Sequence, residues 1–286
     1  MEFTGPPIVT LEGEIMTNSH GINKLMQFYF DASQYNNSQV IVDCYQLSWL
    51  DANLTAFLSA LGYRLKKERG IQLAADFDFL SKKFGVFFRN GWLQDADYNI
   101  PDLQETTLPC MSFDVSMEDE FCDYVKEKLL CHRGMPDFTE SLRLRIQTDL
   151  AEICTNIGRH ARTSEPFFVC GQFYPKFNYF VFSMVDLGVG FLPPIQTFTD
   201  NLINSDIEAI NWALEGNSTT GEPLAGTGLN GIYDYFKTHE GGLQIFTGNA
   251  FWGTDLKSTI WQGYRPLKHS FKGSMLNLFF PCKREK

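Results

Sequence analysis

The stretch EICTNIGRHA, residues 152–161, sets a carboxylate, a carboxamide and an imidazole four residues apart inside what otherwise reads as an amphipathic helix. At 3.6 residues per turn, Glu152, Asn156 and His160 advance about 40° per step and so share one face. Leu142, Ile146, Leu150, Ile153 and Ile157 form the apolar stripe beside it. Taken alone, the helix needs no more than a solvated polar side to explain those three residues. The flanking segments decide whether they do chemistry.

Working outward, MEDEFCDYVKEKLLCHR (117–133) and FTESLRLRIQTDLAEICTNIGRHA (138–161) read as two helices joined through Gly134 and Pro136. PFFVCGQFYP (166–175) and YFVFSMVD (179–186) run apolar or alternate like adjacent strands, and GGLQIFTG (241–248) and GSMLNLFFP (273–281) follow as later ones. The strand that ends in Asp186 leads into Gly188 and Gly190. An aspartate there accepts a hydrogen bond from an amino group, and the glycines allow close approach of a flat ligand or positive φ; a tight turn would use the same residues. GTGLNG (226–231) precedes the helical pattern of Ile232, Tyr235 and Phe236, so its backbone N–H groups would stand at a helix start, where phosphate oxygens are favoured.

The first half has a different texture. Val40 to Val42 form an apolar strand, and Leu54, Phe57, Leu58, Leu61 and Leu65 recur at helical spacing. Gly70 caps that helix, with Lys66, Lys67 and Arg69 in its last turn, and Ile71 to Ala75 supply a second strand. Strand, helix and strand in this order predict a parallel crossover. A further helix is expected within FLSKKFGVFFRNGWL (79–93). Residues 94–116 lack a period and contain two prolines, which makes them the expected seam, with MSFDVS (111–116) already a strand of the second half. The divisions are residues 1–105, a linker with the first element of the second domain at 106–125, and residues 126–286.

A chain of 286 residues with 44% hydrophobic side chains can bury a large core. Its net charge of -10 disfavours a phosphate-backbone binder, so no nucleic-acid role is expected. No apolar run reaches the length of a membrane span and the start MEFTGPPIVTLEGE lacks the zones of a signal peptide, so a cytoplasmic protein is expected, without a membrane partner. The seven cysteines are scattered without a CxxC pair, as reduced thiols would be.

The E-x3-N-x3-H helix, the strand ending in DxGxG and the GTGLxG loop, in that order, resemble the boxes of the GHKL ATPases, with Gly273 and Ser274 similar to the pair in the family's last box. The resemblance covers about residues 110–286 and is nearest to the small bacterial serine kinases of the anti-sigma-factor type, because no dimerisation helix with a phosphoacceptor histidine precedes the motifs. It implies an α/β protein whose second half is the Bergerat-type sandwich of that superfamily, with ATP and Mg²⁺ as cofactors. Asn156 would ligate Mg²⁺ and Asp186 would read the adenine amino group. Glu152 would be the base that orients or deprotonates the attacking hydroxyl. Gly188 and Gly190 would line the base pocket, and Gly226, Thr227, Gly228, Leu229 and Gly231 would cradle phosphates. Ser274 completes the set, and His160 is expected to be structural. One departure stands out: Phe191 to Ala225, the counterpart of the ATP lid, holds no Lys or Arg and carries Asp200, Asp206, Glu208, Glu215 and Glu222. Charge compensation would come from Mg²⁺, helix amides, the hydroxyls of NSTT (217–220), or Arg and Lys elsewhere; Arg159 and Arg162 are candidates, although surface solvation is the role expected of each.

Residues 8–105 resemble, more loosely, a STAS domain, the fold of anti-sigma-factor antagonists, which implies a mixed sheet with helices. Where that family offers a phosphorylated serine, this chain has Asp51-Ala52-Asn53-Leu54, and neither Ala52 nor Asn53 can accept a phosphoryl group. Together the resemblances imply an ATP-binding regulatory protein, acting on a serine or threonine of a regulatory protein partner or serving as an ATP-conditioned interaction module. A homodimer is compatible with either.

Overall fold

In the first half, strands alternate with helices long enough to carry the chain back across a sheet. The computed structural model describes residues 5–98, 100–160, 164–219, 227–253 and 263–282. After β1 (Ile8–Thr10) and β2 (Gly13–Ile15) comes α1 (Ser19–Ala32), started by Asn18, whose side chain accepts the Gly21 N–H. Then follow β3 (Gln39–Asp43), β4 (Leu47–Leu50), α2 (Thr55–Arg69) and β5 (Gln72–Ala74). Gly70 ends α2 in the left-handed conformation at φ 63°.

β3 lies between β1 and β5, and β2 pairs with β4; every one of these pairings is parallel. The mixed sheet expected for this half is therefore corrected. α1 carries the chain from β2 in the two-stranded sheet to β3 in the three-stranded one, and α2 carries it from β4 to β5 likewise, the long connections that parallel strands need. The helix expected within 79–93 is two short ones, α3 (Phe77–Lys83) and α4 (Val86–Arg89), interrupted at Phe84 and Gly85.

The second half begins earlier than its predicted strand, at β6 (Thr107–Phe113). It continues through α5 (Glu118–Tyr124), α6 (Glu140–His160), β7 (Phe167–Tyr174) and β8 (Tyr179–Asp186). Next are α7 (Leu192–Phe198), α8 (Asp206–Leu214), α9 (Thr227–Thr238), β9 (Gly242–Gly253) and β10 (Tyr264–Pro281). The five strands form an antiparallel sheet in the order β6-β7-β8-β10-β9.

Alternation along β8 and β10 gives this sheet two buried faces. Met184, Leu276 and Leu278 join Ile146, Leu150 and Ile153 of α6 in one core. Val185, Met275 and Phe246 point the other way, into a core shared with Ile22 of α1 and Phe57 of α2. α1 and α2 thus lie between the parallel strands of the first half and the antiparallel sheet, giving a sheet, helix, sheet, helix stack. Phe57 meets Phe246 and Phe271 edge-on at 5.9 and 5.0 Å. The connection at 94–106 is a change of sheet, whereas the apolar core runs across it.

A row of polar side chains crosses the shared face. Asn277 stands opposite Ser183 on one side and Gln244 on the other. The Ser183 hydroxyl donates to Asn277 Oδ1 at 2.7 Å, and Asn277 Nδ2 donates to Gln244 Oε1 at 3.2 Å. Asn53 meets this row, donating to Ser183 Oγ at 2.8 Å and accepting from the Tyr174 hydroxyl at 3.2 Å. Gln244 Nε2 closes the circuit on the Thr17 carbonyl at 3.2 Å, and Thr17 donates to Asp51 Oδ2 through both its N–H and its hydroxyl. All of these residues are buried. Burial without partners would be costly, so the circuit specifies one docking register for the two halves.

Candidate functional site

The helix face that carries Asn156 and the ends of β8 and β10 meet at a cavity of about 150 Å³. Ile153, Asn156 and Ile157 form one wall; Met184, Asp186, Ser274 and Leu276 form the floor. Phe191, Ile195 and Trp212, on and beside α7 and α8, cover the apolar side, and Asn217, Ser218, Thr219 and Leu229 border the remainder. An apolar chamber with few convergent polar groups is the usual form of a small-molecule site. Asp186 is its one charged lining residue among the described residues.

Asp186 is placed by pairing. It ends β8 directly opposite Ser274 of β10, and alternation points both into the cavity. Burial pushes its carboxyl up to about 6, countered by the Gly188 N–H, the Ser274 hydroxyl and the field of Arg64. Gly188 donates to Asp186 Oδ1 at 2.8 Å. Gly190, at φ 82°, has no room for a side chain: a Cβ would stand 2.6 Å from Thr247 Oγ1. That hydroxyl ties the turn down by accepting from the Phe191 N–H at 3.2 Å and donating to the Gly273 carbonyl at 2.9 Å.

The structure brings Asn156, Asp186, Gly190, Leu229 and Ser274 to one cavity, from four separate motifs. The other candidates fall elsewhere. Gly188 backs the loop from the opposite side, at a second cavity. Thr227 opens α9, and its hydroxyl donates to Glu152 Oε2. Glu152 Oε1 is buried without a hydrogen-bond partner among the described residues. Gly226 lies outside the described residues, as do Arg162 and the side chains of Arg159 and His160.

Gly228 and Gly231 are one helical turn apart within α9, where their hydrogens admit α6. A Cβ on Gly228 would stand 2.7 Å from the Asp149 carbonyl, and one on Gly231 would stand 2.5 Å from the Asp149 carboxylate. Gly231→Val should therefore lower stability by about 2 kcal/mol or more, seen as a reduced urea midpoint with unchanged m-value. A wild-type midpoint would show that the helices can part at no cost.

Asp149 was not legible as a site residue. It sits one turn before Glu152, and burial raises its carboxyl to about 6, with Arg145 opposing and Glu152 reinforcing the shift. Its only sequence signal was an acid among the apolar stripe positions Ile146, Leu150 and Ile153. Trp212 and Arg64 were also missed, because neither belongs to a motif. No group of three or more His, Cys, Asp or Glu residues forms a metal cage among the described residues, and none of the described helices is long and apolar enough to cross a membrane.

Comparison with known proteins returned no matching family model, no similar curated protein and no similar solved structure.

Proposed function

We propose that the cavity holds the base of an adenine nucleotide and that the chain is a cytoplasmic nucleotide-operated regulatory protein of the histidine-kinase-like ATPase type. One observation carries this reading: the residues assigned to base and metal recognition, Asp186 with Ser274 and Asn156, line a single chamber although they come from distant parts of the chain. Asp186 offers a buried acceptor to an exocyclic amino group, while Ile157, Met184, Phe191 and Leu276 offer apolar surface to a flat ring.

Mg²⁺ fits the donor set in a limited way. Asn156 supplies a carboxamide oxygen at the cavity wall, and the unbonded Glu152 Oε1 lies one turn away on α6. Without an acidic cage, the ion's other ligands would be phosphate oxygens and water, its usual arrangement with nucleotides. Bound there, Mg²⁺ supplies charge neutralisation that the acidic lid lacks.

Glu152 would orient an attacking hydroxyl, a task now occupied by the Thr227 hydroxyl. The acceptor would belong to another protein, because the Asp51–Leu54 turn is buried on the face of the sheet opposite the cavity. That burial also favours a second reading, an ATP-conditioned interaction module without transfer. Calorimetry with ATP, ADP and Mg²⁺ tests the shared premise, and labelled phosphate release with and without partner separates the two. Glu152→Gln should reduce turnover by about 100-fold while leaving ATP affinity within about threefold. Unchanged turnover in that variant would remove Glu152 from the chemistry.

A further inference from the structure

We propose that Arg64, from the first half of the chain, is a positioning residue that couples the inner helix α2 to occupancy of the cavity by fastening the two backbone segments that carry Asp186 and Ser274. This rests on the nucleotide reading of the cavity and extends it to regulation. Arg64 is buried, and its Nη2 donates to the Leu187 carbonyl at 3.2 Å and to the Lys272 carbonyl at 2.5 Å. Leu187 directly follows Asp186, and Lys272 lies two residues before Ser274. The guanidinium stands 5.3 Å over the Phe271 ring, and its Nε is 3.7 Å from Glu68.

The arrangement suits an arginine. One amino group, Nη2, reaches both carbonyls while the guanidinium plane lies over an aromatic face; an ammonium offers a point charge without the plane. Leu187 lies just beyond the end of β8, and Lys272 lies within β10 at a register irregularity between Phe271 and Ser274, so withdrawing the guanidinium removes a buried donor from each carbonyl. Any shift of residues 187–190 that admits or grips a ligand must lengthen or tighten these bonds. Space for such a shift exists, because behind the loop lies a cavity of about 270 Å³ bounded by Tyr63, Arg64, Lys67, Gly188 and Lys272. Coupling is reciprocal: a ligand that fixes the loop also fixes α2.

Charge provides a second link. The field of Arg64 favours the Asp186 carboxylate, to which Gly188 and Ser274 are neutral donors. Removing the charge makes the carboxylate harder to ionise. Its protonation midpoint, and with it the pH below which an amino group loses its acceptor, should move up.

The test compares wild type, Arg64→Lys and Arg64→Met by ATP calorimetry with Mg²⁺ between pH 5 and 8, together with amide exchange of the wild type with and without ATP. Arg64→Met should lose at least tenfold in affinity at pH 7 and shift the pH midpoint upward, while Arg64→Lys keeps the wild-type midpoint. ATP should slow exchange in residues 60–69 of α2 as well as in 186–191. Protection confined to the second half, or an Arg64→Met protein with wild-type affinity and midpoint, overturns the coupling while leaving the nucleotide reading intact. Absence of heat and of protection anywhere in wild type defeats the nucleotide reading, and the coupling with it. If Arg64→Met does not fold, the exchange experiment on wild type still decides.

Discussion

Asp186→Asn is expected to weaken ATP binding by about 10- to 100-fold and at the same time to raise the melting temperature of the unliganded protein. The binding loss follows from exchanging a charged acceptor, whose hydrogen bond contributes about 1.5–3 kcal/mol, for a neutral one that contributes about 0.5–1.5 kcal/mol. The stability gain follows from linkage. Asp186 has a folded-state pKa of about 6 against 3.8 for the free group, so folding favours the neutral acid. Above pH 6 the carboxylate is ionised in both states and the fold carries the whole penalty, on the order of 3 kcal/mol. As pH falls from about 6 towards 4, that penalty disappears. Asparagine never carries it, and its carbonyl still accepts the Gly188 N–H. A rise of a few degrees at pH 7.5, shrinking towards pH 4, is the calorimetric signature. The same ionisation makes wild-type ATP affinity fall as pH drops below about 6. An Asp186→Asn protein with full affinity would mean that the carboxylate does not read the ligand.

The second large effect concerns the junction. Asn53→Ala removes donors to Ser183 Oγ and Thr17 Oγ1 and the acceptor of the Tyr174 hydroxyl, all at buried positions. Leaving those groups unpaired should cost about 3 kcal/mol, measured as a lower urea midpoint. Dividing the chain should be worse. Residues 106–286 alone would expose Phe168, Val185, Phe246, Phe271 and Met275, which now pack against α1 and α2. A patch of that size on a lone fragment predicts aggregation or binding of an apolar dye, whereas the whole chain should unfold in one transition. Two separated melting transitions with a soluble fragment would show instead that the halves are independent.

The contrast between these predictions marks where local pattern stops being informative. Helix α6 was legible almost residue by residue, because Ile146, Leu150, Ile153 and Ile157 obey a 3.6 period and are all buried. Gly70 and the cations before it announced the end of α2, a purely local matter of backbone conformation and helix dipole. The all-parallel first sheet was less so: the crossover between β3 and β5 was readable, but β1 and β2 are three-residue strands too short to carry a period. The glycines of GTGLNG are expected as a phosphate cradle, and two of them also admit the Asp149 turn of α6. Backbone exposure and close helix packing ask for the same residue.

What the sequence determined by itself, then, is each element whose cause lies within a few residues: periodic core stripes, caps, and the strand end that puts Asp186 beside glycines. Only the tertiary structure decided that α2 is buried on both sides, that Asn53 answers a polar row drawn from three strands, and that Arg64 reaches 123 and 208 residues along the chain to two carbonyls. Small side chains such as Ala56 and Ala60 hide a second buried face from any amphipathic count. Single polar residues become meaningful only when folding removes the water that would otherwise satisfy them.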